Sequence, residues 1–216
     1  AEHWLGTDEA GRDVLIRLVY GTRISLLVAF TVTITSTVVG VAVGAVAGYF
    51  GGFIDNLLMR VTDSLLALPT TPILIIVASI DHNRIPFFQL LSPQSVSIVK
   101  MIFVLMIFSW MTQGRLVRGE VLAIKEQEYI LAARTSGMRS WSIILKELLP
   151  NVMSPVIVSV TLSVGSSILF ESALSFLGLG IQPPTPSWGN MLNNAQEIIY
   201  SAPMLADRKS TRLNSS

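Results

Sequence analysis

Residues 25–50 read SLLVAFTVTITSTVVGVAVGAVAGYF and form the heart of a stretch, Ile24 to Ile54, that holds no charged side chain. About 20 mostly apolar residues suffice for a helix to cross the hydrocarbon core of a bilayer, and this window supplies them. Outward from it, three more windows qualify. The first is Leu57–Ile80, with Arg60 and Asp63 near one end and LLALPTTPILIIVASI beyond. The second is Val96–Met111, where Lys100 near the start can snorkel to an interface. The third is Val152–Leu179, apolar except for Glu171. The fold expected is all-α: a polytopic membrane helical bundle with four spans in this chain.

Composition supports a bilayer protein. Charged residues make up 13% of the chain, against about 25% in a soluble domain, and mean hydropathy is +0.61. A net charge of +1 gives no support for nucleic-acid binding. Cysteine is absent, which excludes disulfides and thiolate metal sites, and His3 and His82 alone make a histidine metal centre improbable. No catalytic group, metal or cofactor is expected.

Lysine and arginine orient the spans, because cytoplasmic loops carry an excess of both. Residues 112–150 hold Arg115, Arg118, Lys125, Arg134, Arg139 and Lys146, whereas residues 180–204 hold none and the Asp81–Ser95 connection holds only Arg84. The 112–150 loop is therefore placed in the cytoplasm and the other two outside. Gly51–Asn56 becomes a short inner turn. Residues 1–23 then fall outside; Arg12, Arg17 and Arg23 run against that placement, and Asp8, Glu9 and Asp13 offset them.

Gly40, Gly44 and Gly48 recur every fourth residue, which aligns them on one helix face. Small residues so spaced let helices approach closely in lipid; glycine is also simply frequent in membrane helices. Arg60 and Asp63, at i and i+3, are placed to pair on one face. Pro69 and Pro72 are expected to kink their span.

The most informative region is the charged loop, residues 113–155, QGRLVRGEVLAIKEQEYILAARTSGMRSWSIILKELLPNVMSP. Leu122–Ser136 lacks Pro and Gly and reads as one helix. Gly137 suits a left-handed helix end. A second short helix is expected from Ser140 to Leu149, stopped by Pro150. Helix, glycine turn, helix, proline is a compact knob suited to a partner's groove, or else an inert linker.

Ala132-Ala133, three residues, Gly137 and then Leu149-Pro150 resemble the EAA loop of binding-protein-dependent ABC transporter permeases, with Glu128 keeping a carboxylate nearby. Two positions depart from the pattern: Leu131 stands where Glu is usual, and Glu147 stands where Ile is usual, beside Leu148. WLGTDEAGRDVLIRLVYGTRISL (Trp4–Leu26), GYFGGFIDNLLMRVTDSLLALP (Gly48–Pro69), RLVRGEVLAIKEQEYILAAR (115–134) and ESALSFLGLGIQPPTPSWGNML (171–192) are similar to the dipeptide/oligopeptide/nickel branch of that family.

The resemblance implies a permease subunit, without catalysis of its own, in a bacterial or archaeal plasma (inner) membrane. It implies a second permease subunit, two ABC ATPases and an extracytoplasmic solute-binding protein as partners. Transport of peptides, nickel complexes or related solutes follows from the same likeness. Ala132, Ala133 and Gly137 would shape the surface that meets the ATPase, flanked by Glu128, Leu149 and Pro150. Arg134 and Arg139 would pair with ATPase carboxylates, unless they are only solvated positive-inside charges. No G-x-x-x-x-G-K-[ST] phosphate loop occurs in the chain.

Glu171, an ionisable group inside a span, is by default a functional candidate: it would line the pathway or meet the second permease. The loop IQPPTPSWGNMLNNAQEIIYSAP (181–203) is expected to cap the pathway or touch the binding protein. Against six spans in the family, the expectation is four of six, with residues 1–206 a permease domain truncated at both ends. The polar tail 207–216, DRKSTRLNSS, is expected to be artefactual. A secondary transporter or channel is the competing reading; it would need midplane charges or broken helices, and the spans offer little beyond Glu171. An intramembrane enzyme is disfavoured, since neither H-E-x-x-H nor G-x-S-x-G occurs.

Overall fold

Asp13 starts the first helix. Its Oδ1 accepts the Ile16 N–H at 3.1 Å, which caps one of the free donors at a helix N-terminus. With no proline to interrupt it, α1 then runs Val14–Phe50. In the computed structural model, which describes Trp4, residues 11–79 and residues 93–193, every regular element is a helix. After α1 come α2 (Gly52–Leu66), α3 (Thr70–Ser79), α4 (Pro93–Ile124), α5 (Glu128–Thr135) and α6 (Ser140–Ile143). A π-helical turn, Ile144–Leu148, leads into α7 (Leu149–Phe176). Most of the Asp81–Ser95 connection and the whole 207–216 tail lie outside the described residues.

Among the described residues, three helical segments are long and apolar enough to cross a membrane: Val14–Phe50, Ser95–Ile124 and Ser140–Phe176. The bent pair α2–α3 makes a fourth if it counts as one span. Where a single kinked helix is expected over Leu57–Ile80, two helices meet at 84°. Pro69 explains the break, because it disfavours helical backbone at the residue before it. Pro72 falls in the first turn of α3, where its missing N–H has no intrahelical acceptor to lose.

Three other boundaries differ from expectation. The third span does not stop at Met111, for α4 continues unbroken to Ile124. The helix expected over Leu122–Ser136 is broken at Lys125–Gln127. Val121 and Ile130 are both fully buried, yet nine residues of straight helix would set them on opposite faces at 3.6 residues per turn. The break lets both face one core. Pro150 does not end the next helix; the chain passes through it into α7. A helix-interior proline ring collides with the carbonyl four residues back, here Lys146, and the wider turn at Ile144–Leu148 makes room. The Leu149 N–H accordingly reaches back five residues to the Ile144 carbonyl.

The chain divides into two compact units. One comprises Val28–Ile80 and Ile102–Ile168. Within it α1 lies directly on α4. A Cβ added at Gly40 would stand 2.6 Å from the Gln113 Cβ and 2.7 Å from the Trp110 carbonyl oxygen. At Gly44 it would run into the Gly114 carbonyl, and at Gly48 it would stand 2.8 Å from Val121 Cγ1. The three glycines thus form the contact face.

Hydrogen bonds add to this packing. Buried Gln113 on α4 donates through Nε2 to Ser159 Oγ at 3.0 Å and Ser163 Oγ at 2.9 Å on α7. Thr33 on α1 meets Ser167 at 3.4 Å. Such interhelical bonds in membranes contribute about 0.6 kcal/mol on average, so close packing remains the larger cause. The apolar core of this unit gathers Ala45 and Tyr49 from α1, Val117 and Val121 from α4, Ile130 from α5, and Ile143, Ile144, Leu148, Val152 and Val156.

The other unit contains α1 up to Leu27, α4 up to Met101 and the chain from Leu169 onward. Its described part is built on the last turns of α7 and the segment that follows them.

Gly44→Leu is expected to destabilise the protein by at least the ~1–3 kcal/mol typical of overpacking, seen as a lower melting temperature in detergent. Gly119→Ala, inside α4 and with an added Cβ that meets nothing within 4 Å, is expected not to lower that temperature and to raise it slightly, since alanine favours a helix over glycine.

Candidate functional site

The α5–α6 hairpin is shaped by its two glycine-free helices and the one glycine between them. Gly137 has φ 81°, a left-handed conformation that costs a side chain roughly 1–2 kcal/mol. The Gly137 N–H bonds to the Arg134 carbonyl and the Met138 N–H to the Ala133 carbonyl. That pair of bonds is the Schellman ending of a helix. The Arg139 carbonyl then accepts from Ser142 and Ile143 and opens α6.

Ile130 is buried in the core and Ala133 packs beside it, while Glu128 and Ala132 are exposed. The two adjacent alanines therefore serve different sides: Ala133 faces the protein and Ala132 faces out. Leu131, in the usual Glu position, is 42% exposed and adds apolar surface next to Tyr129, also exposed. Met138 and Trp141 extend the exposed apolar surface beyond the turn. Glu147 is half-buried, whereas its neighbour Leu148 is completely buried. Leu148 thus makes the apolar contact that the usual Ile position would suggest for residue 147. Leu149 packs partly on the core, Pro150 is exposed, and Asn151 Nδ2 donates to the Glu147 carbonyl at 2.6 Å.

Arg139 is exposed. Arg134 lies with its guanidinium 4.9 Å above the Tyr49 ring. Two ion pairs brace the root of the hairpin. Arg118 donates through Nε and Nη2 to both oxygens of Asp55, at 2.5 and 2.7 Å. Asp63 pairs with Arg115 at 3.7 Å, so the Arg60–Asp63 pair expected along α2 is replaced by a link from α2 to α4. The Asp55–Arg118 pair has no signal in the sequence: 63 positions separate its members, and nothing local joins them.

Glu171 belongs to the other unit. It is completely buried, and its two oxygens accept hydrogen bonds from Ser25 Oγ at 2.9 Å and Ser175 Oγ at 2.8 Å. Each hydroxyl in turn accepts a backbone N–H: Trp188 bonds to Ser25 at 3.3 Å and Ile181 to Ser175 at 3.1 Å. A buried carboxyl is costly unless hydrogen-bonded, and here four residues satisfy it by relay. The segment it holds is tightly wound. Gly178, φ 76°, ends α7 with the Leu179 N–H on the Leu174 carbonyl and the Gly178 N–H on the Ser175 carbonyl. Added Cβ atoms at Gly180 and Gly189 would collide with Ser175 and Ser172. Ser187 caps the turn that begins at Trp188, accepting the Asn190 N–H at 3.3 Å. The four-residue spacing of Glu171 and Ser175 is the one local signal in the sequence for a side-chain pair here.

Among the described residues no group of three or more His, Cys, Asp or Glu gathers to hold a metal. Long apolar helices, a glycine-lined helix contact and an exposed helical hairpin between two spans define a polytopic α-helical membrane protein. The chain belongs to the family described as binding-protein-dependent transport system inner membrane component, whose model matches residues 40–206. It is similar to the dipeptide transport system permease protein DppC of Alkalihalophilus pseudofirmus, 41% identical over 203 residues, covering 94% of this chain and 62% of that protein. The DppC of Bacillus subtilis is 44% identical over 201 residues, covering 93% of this chain and 59% of that one. The glutathione transport system permease protein GsiD of Pectobacterium atrosepticum is 37% identical over 204 residues, covering 94% and 64%. The chain thus spans about three fifths of the length of the curated relatives it matches.

Glu171→Gln is expected to loosen the segment after α7. A glutamine turns an oxygen to one serine and an amide N–H to the other, so one serine must swing its hydrogen away from the side chain and leave it without its buried acceptor. Leaving a buried group unmatched costs about 1–3 kcal/mol. Hydrogen exchange at the Ile181 or Trp188 amide is expected to rise about tenfold, since 1.4 kcal/mol is a factor of ten. Unchanged exchange at both amides would contradict this role.

Proposed function

We propose that this chain is a membrane-spanning permease subunit of an ATP-driven importer for peptides or related small solutes. Its partners are a second permease subunit, two ABC ATPases and an extracytoplasmic solute-binding protein, and ATP hydrolysis belongs to the ATPases. The observation that carries the reading is the hairpin: a short helix between spans, rigidly capped at Gly137, that keeps Ala132, Leu131 and Tyr129 exposed. Apolar side chains grouped on an exposed surface mark an interaction site, and a short helix with one small outward residue suits a groove. Membership of the family supports an ATPase as the owner of that groove. The names of the relatives favour a peptide-sized solute.

The chemistry asked of the hairpin is mechanical. A partner can shift the permease between two conformations only by binding them with different affinity. A docking helix packed on the core of α1, α4 and α7 gives ATPase closure something rigid to move. Ala133 and Ile130 supply the inward grip and Ala132 the outward clearance. Glu128 and Arg139 border the docking surface as exposed charges, available to cations or carboxylates on the ATPase. The 112–150 segment therefore acts as the coupling element, although its first part is the end of α4.

Ala132→Arg in the full-length permease tests this directly. Its outward side chain should leave the permease's melting temperature unchanged, while ATPase retained on the tagged permease falls about tenfold, a loss of 1.4 kcal/mol. Wild-type retention with this variant would sink docking through α5.

A further inference from the structure

The hairpin is tied to one particular place on its own chain, the turn that joins α1 to α2. Two contacts from the hairpin converge there, and two from α4 and the break that follows it. The Arg134 guanidinium covers the Tyr49 ring at 4.9 Å. The Trp141 ring meets Phe50 edge-on, with centroids 5.9 Å apart. Lys125, in the break between α4 and α5, donates from Nζ to the Gly48 carbonyl at 3.2 Å, a cation at the negative end of a helix. Arg118 grips Asp55 on the first turn of α2 with two hydrogen bonds. Between Phe50 and Asp55 lie Gly51, Gly52, Phe53 and Ile54, and the two glycines have φ 63° and 54°. Two consecutive left-handed residues give a turn that glycine alone adopts at no steric cost, and an added Cβ at Gly52 would meet nothing within 4 Å.

We infer that Arg134 and Tyr49 are positioning residues that lock the hairpin to the α1–α2 turn, so that any displacement of α5 is delivered to the α2–α3 broken span. Arg134 on this view spends its charge on the chain's own aromatic ring and does not reach for a partner carboxylate. The face of an aromatic ring carries partial negative charge that attracts a guanidinium, and Tyr49, itself buried, holds that face fixed relative to Gly48 and Val121. Phe50 and Trp141 repeat the arrangement one residue along, without charge. Lys125 and Arg118 fix the two helix ends that flank the glycines. The turn is left with few independent motions: it follows the hairpin, and α2, which begins at Gly52, follows the turn while Asp55 holds its first turn to α4.

This inference rests on the proposed docking of α5 by an ATPase. The two are separable by experiment. Full-length permease carrying Tyr49→Leu, Arg134→Ala or both is assembled with its second permease subunit and ATPases in phospholipid vesicles, beside wild type, Tyr49→Phe and Ala132→Arg. ATPase retention, ATP hydrolysis and uptake of radiolabelled dialanine, supplied with the solute-binding protein, are measured together. Tyr49→Leu and Arg134→Ala are each expected to keep ATPase retention and to lower uptake per ATP about fivefold or more, the lower end of allosteric couplings. The double variant is expected to be no worse than either single one, because both remove the same contact. Tyr49→Phe, which keeps the ring face, is expected to match wild type. Arg134→Ala that loses ATPase retention, with Tyr49→Leu coupling normally, would place Arg134 on the partner and overturn the inference. Unchanged uptake per ATP in both single variants would overturn it as well. Ala132→Arg that still retains ATPase would instead overturn the docking reading on which it stands.

Discussion

The approach of α1 to α4 is the constraint from which the placing of the α5–α6 hairpin follows. Three absent side chains bring two helices to backbone contact, and that contact fixes where Tyr49, Val117 and Val121 stand. Those residues are the floor on which Ile130, Ile143, Ile144 and Leu148 pack. In lipid there is no general hydrophobic drive between helices, so shape at the contact decides which faces meet. A methyl group at Gly44 would lift one helix from the other and remove the floor.

Much of this is legible in the sequence. Gly40, Gly44 and Gly48 announce a face by their spacing, and Gly137 announces a helix end by lying between two helix-forming runs. Three of the four apolar windows match single long helices, and the fourth matches the bent pair α2–α3. What is not legible is where helices stop, because propensity is local and stopping is not. Leu122–Ser136 has the composition of one helix, yet burying both Val121 and Ile130 demands a corner. Pro150 has the character of a terminator, yet a turn widened by one residue lets the helix proceed. Met111 ends an apolar window without ending a helix, for the polar residues beyond it keep the same backbone. The EAA-like pattern picks out the α5–α6 hairpin but does not say which alanine faces inward; only the direction of Ile130 decides that.

Ionisable groups are the least predictable. Asp55 and Arg118 find one another through the fold, and Asp63 turns to Arg115 in place of Arg60. Glu171 is conspicuous as a charge-bearing group in an apolar run, and its surroundings give it work inside the chain. Each serine beside it donates to the carboxyl and accepts from the backbone. Glu171 accepts from both serines, whereas an amide of the same shape would turn a donor toward one of them. The residues of the ESALSFLGLGIQPPTPSWGNML block together wind the chain tightly back over a helix end.

The π-helical turn at Ile144–Leu148 also acts as a register device. It holds one residue more than an α-turn, and that residue sets the angle at which everything before it leaves the helix axis. Closing the turn to an ordinary α-helix would rotate α6 by roughly 100° and draw it in by about 1.5 Å, turning Ile143 out of the core and Trp141 away from Phe50. Chain length at this point is therefore an azimuth setting. A single-residue deletion between Ile144 and Leu148 would leave the helix intact and aim the hairpin in another direction.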